Sequence, residues 1–359
     1  MQRLFKLASP DGNKQNWLAR IPRLLAAFVV LLAALSFAGW GAFELAMTRL
    51  SPLPLAAAAE VSVTVLDRND RLLRAVTTKQ GRWRLPVSHT DVDQRYLAML
   101  LAFEDRRFWQ HGGVDALALG RAALQLIGNG RIISGASTLT MQTARLLDQR
   151  HDRTLTGKLA QILRAVQLER RLSKKQILDL YLRLAPFGGN IEGIRAASLA
   201  YFGKEPARLS IAQTALLVAL PQSPEARRPD RHPQNARRAR DRVLARAVSA
   251  AVIMPAEAER GRAEAVPNRR QLFPMLAPHL AEAEVEAHPD RTTHRLTIER
   301  SRQAVLQTLL TERADLMGER LSAALLAVDH TSGEIIAHVG SPGYLSGDRF
   351  GAIDMTAAV

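Results

Sequence analysis

The sequence predicts a mainly α-helical protein with one N-terminal transmembrane helix and a short α/β segment at its end. Three observations predict it. An uncharged run of twenty residues occupies positions 24–43, long enough at the rise of an α-helix to cross a bilayer core. From residue 91 to about 250, apolar residues recur at helical spacing between short Gly, Pro or Ser breaks, with no internal repeat. Strand-like alternation is confined to residues 61–65 and to the stretch 323–340.

Composition sets the bounds. A chain of 359 residues is long enough for one large domain with appended pieces, or for two modest ones. With 47% hydrophobic and 23% charged residues, it is expected to bury a sizeable core rather than stay disordered. The net charge of +15 implies attraction to a polyanion: nucleic acid, an anionic bilayer or a phosphorylated substrate. There are no cysteines, which excludes disulfides and thiolate metal sites.

Arg3, Lys6, Lys14, Arg20 and Arg23 precede the uncharged run, and Trp17 and Trp40 sit near its ends as interfacial aromatics do. The basic flank, residues 1–23, is expected to stay in the cytoplasm, with residues 24–44 as the anchor and the rest of the chain delivered beyond the membrane. A cleaved signal peptide is the rival reading. The run is long for a signal core, and Ser36-Phe37-Ala38 is a poor match to a small-x-small cleavage site, so an uncleaved anchor is preferred. Anionic headgroups then account naturally for the basic composition.

Ser51-Pro52-Leu53-Pro54 breaks the anchor helix, and residues 61–65 alternate into the turn chemistry of Asp67-Arg68-Asn69-Asp70, the pattern of a hairpin entry. The chain then reaches its most informative stretch. The apolar run 96–102 suits a buried helix and switches abruptly into Phe103-Glu104-Asp105-Arg106-Arg107-Phe108-Trp109-Gln110-His111-Gly112-Gly113-Val114-Asp115. A switch from oily residues to carboxylates and arginines marks a cleft wall. At the end of the apolar face, burial would raise the pKa of Glu104 while Arg106 and Arg107 would lower it, and a carboxylate so placed can serve as a general base.

Residues 129–138 form a small polar loop before a helix predicted over 139–147. Backbone amides at such a helix start, with the Ser137 and Thr138 hydroxyls, could hold a phosphate, although plain capping explains the same residues. Gln142 and Arg145, three apart, share a face of that helix. Helices are predicted over 157–172 and 176–184, and Ser210 is read as the N-cap of an apolar core helix. Eight arginines between Arg227 and Arg246 make the most basic segment. It lacks interleaved aromatics and any base-reading motif, so nucleic acid is set aside in favour of a solvated helix or a surface near headgroups. Residues 251–299 read as a linker with short helices, and residues 300–359 as a helix followed by a hairpin of two buried strands.

The pattern Glu104-Asp105-x-x-Phe108-x-x-His111-x-Gly113-x-Asp115, followed by Gly135-Ala136-Ser137-Thr138-Leu139-Thr140-Met141-Gln142, resembles the first two motifs of the peptidoglycan glycosyltransferases, family 51. The flanking sequence is most similar to the 1C subgroup of bifunctional class A penicillin-binding proteins. Lys158, Glu169, Ser173 and Lys174 match the next motif, but the family's second functional glutamate is Gln161 here, a replacement expected of that subgroup, and Gly157 stands where an Arg is usual. Residues 181–197 resemble the fourth motif, with Arg183 for the usual Asn, and Gln213 again replaces a Glu. The stretch 323–340 resembles the opening of the penicillin-binding transpeptidase domain. None of that domain's Ser-x-x-Lys, Ser-x-Asn or Lys-Thr-Gly elements occurs in this chain, so transpeptidase activity is expected to be absent.

The resemblance implies a lysozyme-like helical glycosyltransferase domain over 60–250 and an incomplete transpeptidase start over 300–359. It implies polymerisation of lipid II onto a growing glycan chain at the outer face of the inner membrane, in cell-wall biosynthesis, with undecaprenyl diphosphate leaving. Glu104 would be the base. Asp105 and His111 would position the loop, Arg145 and Lys158 would take up diphosphate charge, and Phe108, Ser137, Thr138, Gln142 and Gln161 would complete the substrate site. Charge considerations admit a divalent cation such as Mg2+ at the diphosphate, although no ligand cluster for one is visible in the sequence. Cell-wall synthesis proteins are the expected protein partners. Two other classes stay open: a lysozyme-type hydrolase with a lone glutamate, and a catalytically silent membrane-anchored binder of lipid II or of a cell-wall complex.

Overall fold

A computed structural model describes residues 21–129, 137–148, 154–318 and 320–357. The basic residues at positions 3, 6, 14 and 20, Trp17 and most of the polar loop before Ser137 lie outside the described residues. The chain divides into two compact units, residues 1–52 and 53–359.

The first unit is helix α1, Ile21–Arg49. Its 29 residues extend about 43 Å at the α-helical rise, and Leu25–Arg49 is long and apolar enough to cross a membrane. Leu25, Phe28, Val30, Phe37 and Trp40 are all exposed. An apolar surface on every side suits lipid rather than a protein core.

The second unit opens with helix α2, Leu55–Ala59, and strands β1, Val63–Leu66, and β2, Leu72–Val76. The two strands pair antiparallel, as their alternation predicts. Asp67 organises their turn: its buried carboxylate accepts from the backbone of Asn69 and Arg71 and, from far along the chain, of Arg300. A third strand, β5, Thr293–Arg295, lies parallel to β1. Two short strands, β3, Trp83–Arg84, and β4, Ile191–Glu192, form a second parallel pair. It is pinned by the Arg84 guanidinium on Glu192 at 2.6 and 2.8 Å.

Between these strands lies the helical body. Helix α3, Gln94–Glu104, starts at Asp93, whose side chain accepts from the Arg95 N–H, and buries Tyr96, Leu97, Met99, Leu100 and Ala102. After α4, Ala116–Asn129, come α5, Leu139–Asp148, α6, Leu155–Glu169, and α7, Lys174–Leu184. Helix α7 carries a capping box in which Ser173 and Gln176 satisfy each other's backbone donors. Helix α8, Ile194–Phe202, leads to α9, Ile211–Ala219, where Ser210 and Gln213 form a second box. Seven of the nine residues of α9 are buried, as its mostly apolar composition requires. Helix α9 packs against α3 and against α10, Pro233–Ser249, while α5 packs against α6 and α7.

The basic segment departs from the expected solvated face. Arg240 on α10 is 1% exposed. Its guanidinium donates to the carbonyls of Arg262 and Glu264 and bonds Asp241. Those carbonyls close helix α11, Pro255–Ala263, whose C-terminal acceptors have no partner within the helix, so the buried charge is spent on capping. Arg228 is buried as well, paired with Asp230 and pressed against Gly188, where a Cβ would meet its side chain at 2.5 Å.

The segment read as a linker contains α11 and α12, Pro278–Ala287. Helix α13, Arg300–Met317, follows β5 and leads to an antiparallel hairpin, β6, Leu325–Val328, and β7, Ile335–Val339. Only β7 is substantially buried. Leu326 and Val328 on β6 are about half exposed, a correction to the expectation of two buried strands. The cause is geometric: the sheet has two strands, and α13 packs on β7.

Candidate active site

Glu104 is the last residue of α3, where the apolar helix delivers it half-buried to a cleft. Its Oε2 accepts from Gln142 Nε2 at 2.8 Å and its Oε1 from Gln222 Nε2 at 2.7 Å. Burial raises the pKa of this carboxyl, opposed by the two amide donors and by the Arg227 and Arg246 charges. Tyr96 and Tyr181 lie close enough to feel its charge, and their own burial is the main reason their phenols resist ionisation.

Asp105, next in the chain, turns inward. Its buried carboxylate accepts the Leu139 N–H at 2.9 Å and meets His111 Nε2 at 3.0 Å, so it caps α5 and holds the loop at once. Thr138 serves the same junction: its hydroxyl donates to the Gly113 carbonyl at 2.6 Å and accepts from the Met141 N–H at 3.1 Å. Gly113 has φ +92°, and a Cβ there would lie 2.9 Å from the Ala165 carbonyl on α6, so only glycine fits. Asp115 accepts from the Ala118 N–H at the start of α4 and pairs with Arg107. Phe108 is wholly enclosed, with Lys174 4.5 Å above its ring, and supports the loop from beneath.

A second cluster lies along α6. Lys158 Nζ is 2.5 Å from Ser137 Oγ and 3.4 Å from Gln161 Oε1. Both contacts are neutral oxygens, and burial together with the nearby Arg145 charge depresses the lysine's pKa. Where the family pattern has a carboxylate, Gln161 offers Lys158 a dipole.

Glu104 and its partner Gln222 line different cavities. The first, about 440 Å3, is lined by Glu104, Arg106, Arg121, Ser137, Thr138 and Arg246. The second, about 580 Å3, is lined by Arg82, Arg84, Arg145, Pro221 and Gln222. Glu104 faces the first, and its partner Gln222 faces the second. In the second cavity Arg82 and Arg84 pair with Glu192, which lines it too, so Arg145 there and Arg106, Arg121 and Arg246 in the first are the cations placed to meet an anionic ligand.

The structure therefore brings Glu104, Asp105, His111, Thr138 and Gln142 together at the junction of α3 and α5, and Ser137, Lys158 and Gln161 beside it. Arg145, one turn from Gln142, lines the second cavity and acts on Lys158. Sequence reasoning missed Gln222 and Arg227 as neighbours of Glu104, and it read Arg246 only as part of a solvated run. Nothing local in Pro221-Gln222-Ser223-Pro224 signals that its amide would reach back 118 positions to a carboxylate.

Comparisons with known proteins bear on this geometry. Residues 69–248 match the family model described as "Transglycosylase". Penicillin-binding protein 1C from Escherichia coli (strain K12) is 41% identical over 346 residues, covering 94% of this chain and 44% of that protein. Penicillin-binding protein 1A from Aquifex aeolicus (strain VF5) is 37% identical over 195 residues, 54% of this chain and 26% of that one. A crystal structure of penicillin-binding protein 1A from Haemophilus influenzae covers 76% of this chain and 33% of that one, at 19% identity and a TM-score of 0.34. The chain spans less than half the length of these relatives. With the family model covering half the chain, and the strongly similar 1C relative aligned along nearly all of it, the chain belongs to the transglycosylase family of the class A penicillin-binding proteins, in the 1C subgroup.

Proposed function

We propose that the chain is a peptidoglycan glycosyltransferase that polymerises lipid II, anchored in the inner membrane by α1 with its N-terminus in the cytoplasm. The observation that carries the reading is a half-buried carboxylate, its pKa raised by burial, in the wall of a cavity with Arg106, Arg121 and Arg246 and bonded to Gln222, which lines a second cavity with Arg145. In the reaction, a sugar hydroxyl of one lipid-linked disaccharide attacks the anomeric carbon of the glycan chain held on undecaprenyl diphosphate. Glu104 takes the hydroxyl proton as the new C–O bond forms. The bond to the diphosphate breaks with its electron pair, and Arg145 and Lys158 neutralise the departing charge. The leaving group needs no proton, so one carboxylate suffices, and Gln161 in place of a second acid is compatible with transfer.

Asp105, His111 and Thr138 hold the loop and the helix start in this reading, and Ser137 and Gln142 face substrate. Arg145 and Lys158 meet the diphosphate charge in this reading, which is compatible with a divalent cation such as Mg2+ at the diphosphate; Asp105 and Asp115 are engaged by His111 and Arg107. The cell-wall synthesis machinery is the expected setting.

The test is incubation of the detergent-solubilised protein with labelled lipid II. Polymer identifies a transferase, glycan cleavage a hydrolase, and binding without product a silent binder. Glu104→Gln is expected to abolish polymer while lipid II affinity stays within about tenfold, because a base rather than an anchor is removed. Normal polymerisation by that variant would remove Glu104 from the mechanism.

A further inference from the structure

We propose that Gln222, its amide held by Arg227, is a positioning residue that fixes the Glu104 carboxylate for proton abstraction. The inference rests on the reading of Glu104 as the base. Three contacts form a chain: Gln222 Nε2 to Glu104 Oε1 at 2.7 Å, Arg227 Nη1 to Gln222 Oε1 at 3.0 Å, and the same Arg227 nitrogen to the Ala219 carbonyl at 2.7 Å. A guanidinium only donates, so the Gln222 carbonyl must face Arg227, and its NH2 is left for Glu104. The amide cannot flip without losing both contacts.

The anchor of this chain is rigid. Ala219 is the fully buried last residue of α9 and leads directly into the 3-10 turn Leu220–Gln222. Its carbonyl accepts from Arg227, which locates the arginine. From the opposite side Gln142 on α5 donates to Glu104 Oε2. With one donor on each oxygen, the carboxylate plane is held between α5 and the end of α9, and each oxygen keeps capacity to accept a proton. A direct Arg227–Glu104 ion pair would hold the same plane but depress basicity strongly. Routing the arginine through a neutral amide retains the geometry at a smaller loss of basicity. The charged and titratable groups facing Glu104 are Arg227, Arg246, Tyr96 and Tyr181.

Gln222 is exposed, so Gln222→Met removes the donor at similar length without entering the core. In detergent-solubilised full chain with labelled lipid II, this variant is expected to lose roughly tenfold or more in kcat with KM within about threefold, as for a misaimed base. The acid limb of its pH–rate profile should move up, because the carboxylate loses a bond that stabilises its charged form. Arg227→Met should act in the same direction, and in kcat the double variant should lose clearly less than the two single losses combined, since Arg227 aims the carboxylate through the amide while its charge acts on the acid limb directly. Additive losses, or an unchanged kcat and acid limb in Gln222→Met, overturn the proposal.

Titration of the 13C-labelled Glu104 carboxyl, assigned by difference from Glu104→Gln, reads the same contact without turnover. A midpoint raised by Gln222→Met supports the chain of contacts, and an unmoved midpoint sinks it. The two readings fail separately: a fully active Glu104→Gln removes the base assignment, whereas an inactive Glu104→Gln beside an unaffected Gln222→Met removes only the positioning role.

Discussion

At the residue scale the site turns on two groups displaced from their ordinary pKa values in opposite chemical senses. Glu104 is pushed up, chiefly by burial. As a base it must be ionised, so activity should fall with decreasing pH at a value above the usual carboxylate range. Linkage carries the same sign into stability: a carboxyl of raised folded pKa contributes stability at low pH that is lost as pH rises through that pKa. The melting temperature of Glu104→Gln minus that of the native chain should therefore become more positive from pH 4 to pH 8; a flat difference by calorimetry would contradict the shift. Lys158 is pushed down by burial and by Arg145, with only neutral oxygens in contact. Activity that needs its charge should fail on the alkaline side below the ordinary lysine range. Gln161→Glu should move that limb upward and weaken retention of an undecaprenyl diphosphate analogue several-fold, roughly the effect of cancelling one partly screened charge. Tighter binding by the variant would show that Lys158 does not meet the diphosphate.

At the element scale, the site is a joint between helix ends. The C-terminus of α3 delivers Glu104, the N-terminus of α5 is capped by Asp105, and the Gly112-Gly113 turn is pressed onto α6. Gly113→Ala forces a Cβ against the Ala165 carbonyl in a backbone conformation that side chains rarely adopt. It should cost about 1–3 kcal/mol, read as a lower denaturation midpoint, and polymerisation should fall with it as the loop loosens. These elements were legible beforehand because their signals are local: the apolar run into Glu104, the small residues before Leu139 and the Ser210 N-cap of α9. Arg240 was not legible. It sits in an arginine-rich run, and only the end of α11 folding over it turns a solvated charge into a cap.

At the scale of the whole second unit, the entry hairpin and the C-terminal segments share structure. Strand β5 pairs with β1 across more than two hundred residues, and Val65 and Leu73 are buried with Ala277, Ala281 and Ile298 in one small core. A chain ended near residue 250 keeps the helical body but strips that core and leaves β1 as an edge. Amides of residues 63–76 should then lose hydrogen-exchange protection while those of α9 keep theirs. Equal protection in both chains would mean that the hairpin is held by the helical body alone.

The sequence by itself determined the helical class, the membrane-length run, the capped helix starts and the acid at the end of an oily helix, because periodicity, capping and hydropathy act within a few turns of chain. It also determined the family, through an ordered series of motifs. Only the tertiary structure decided that Gln222 meets Glu104, that Arg227 meets Gln222 and that β5 completes the entry sheet. The first and last join residues more than a hundred positions apart, and the second matters only once Gln222 has been brought to Glu104, so all three depend on which surfaces the packed elements bring face to face.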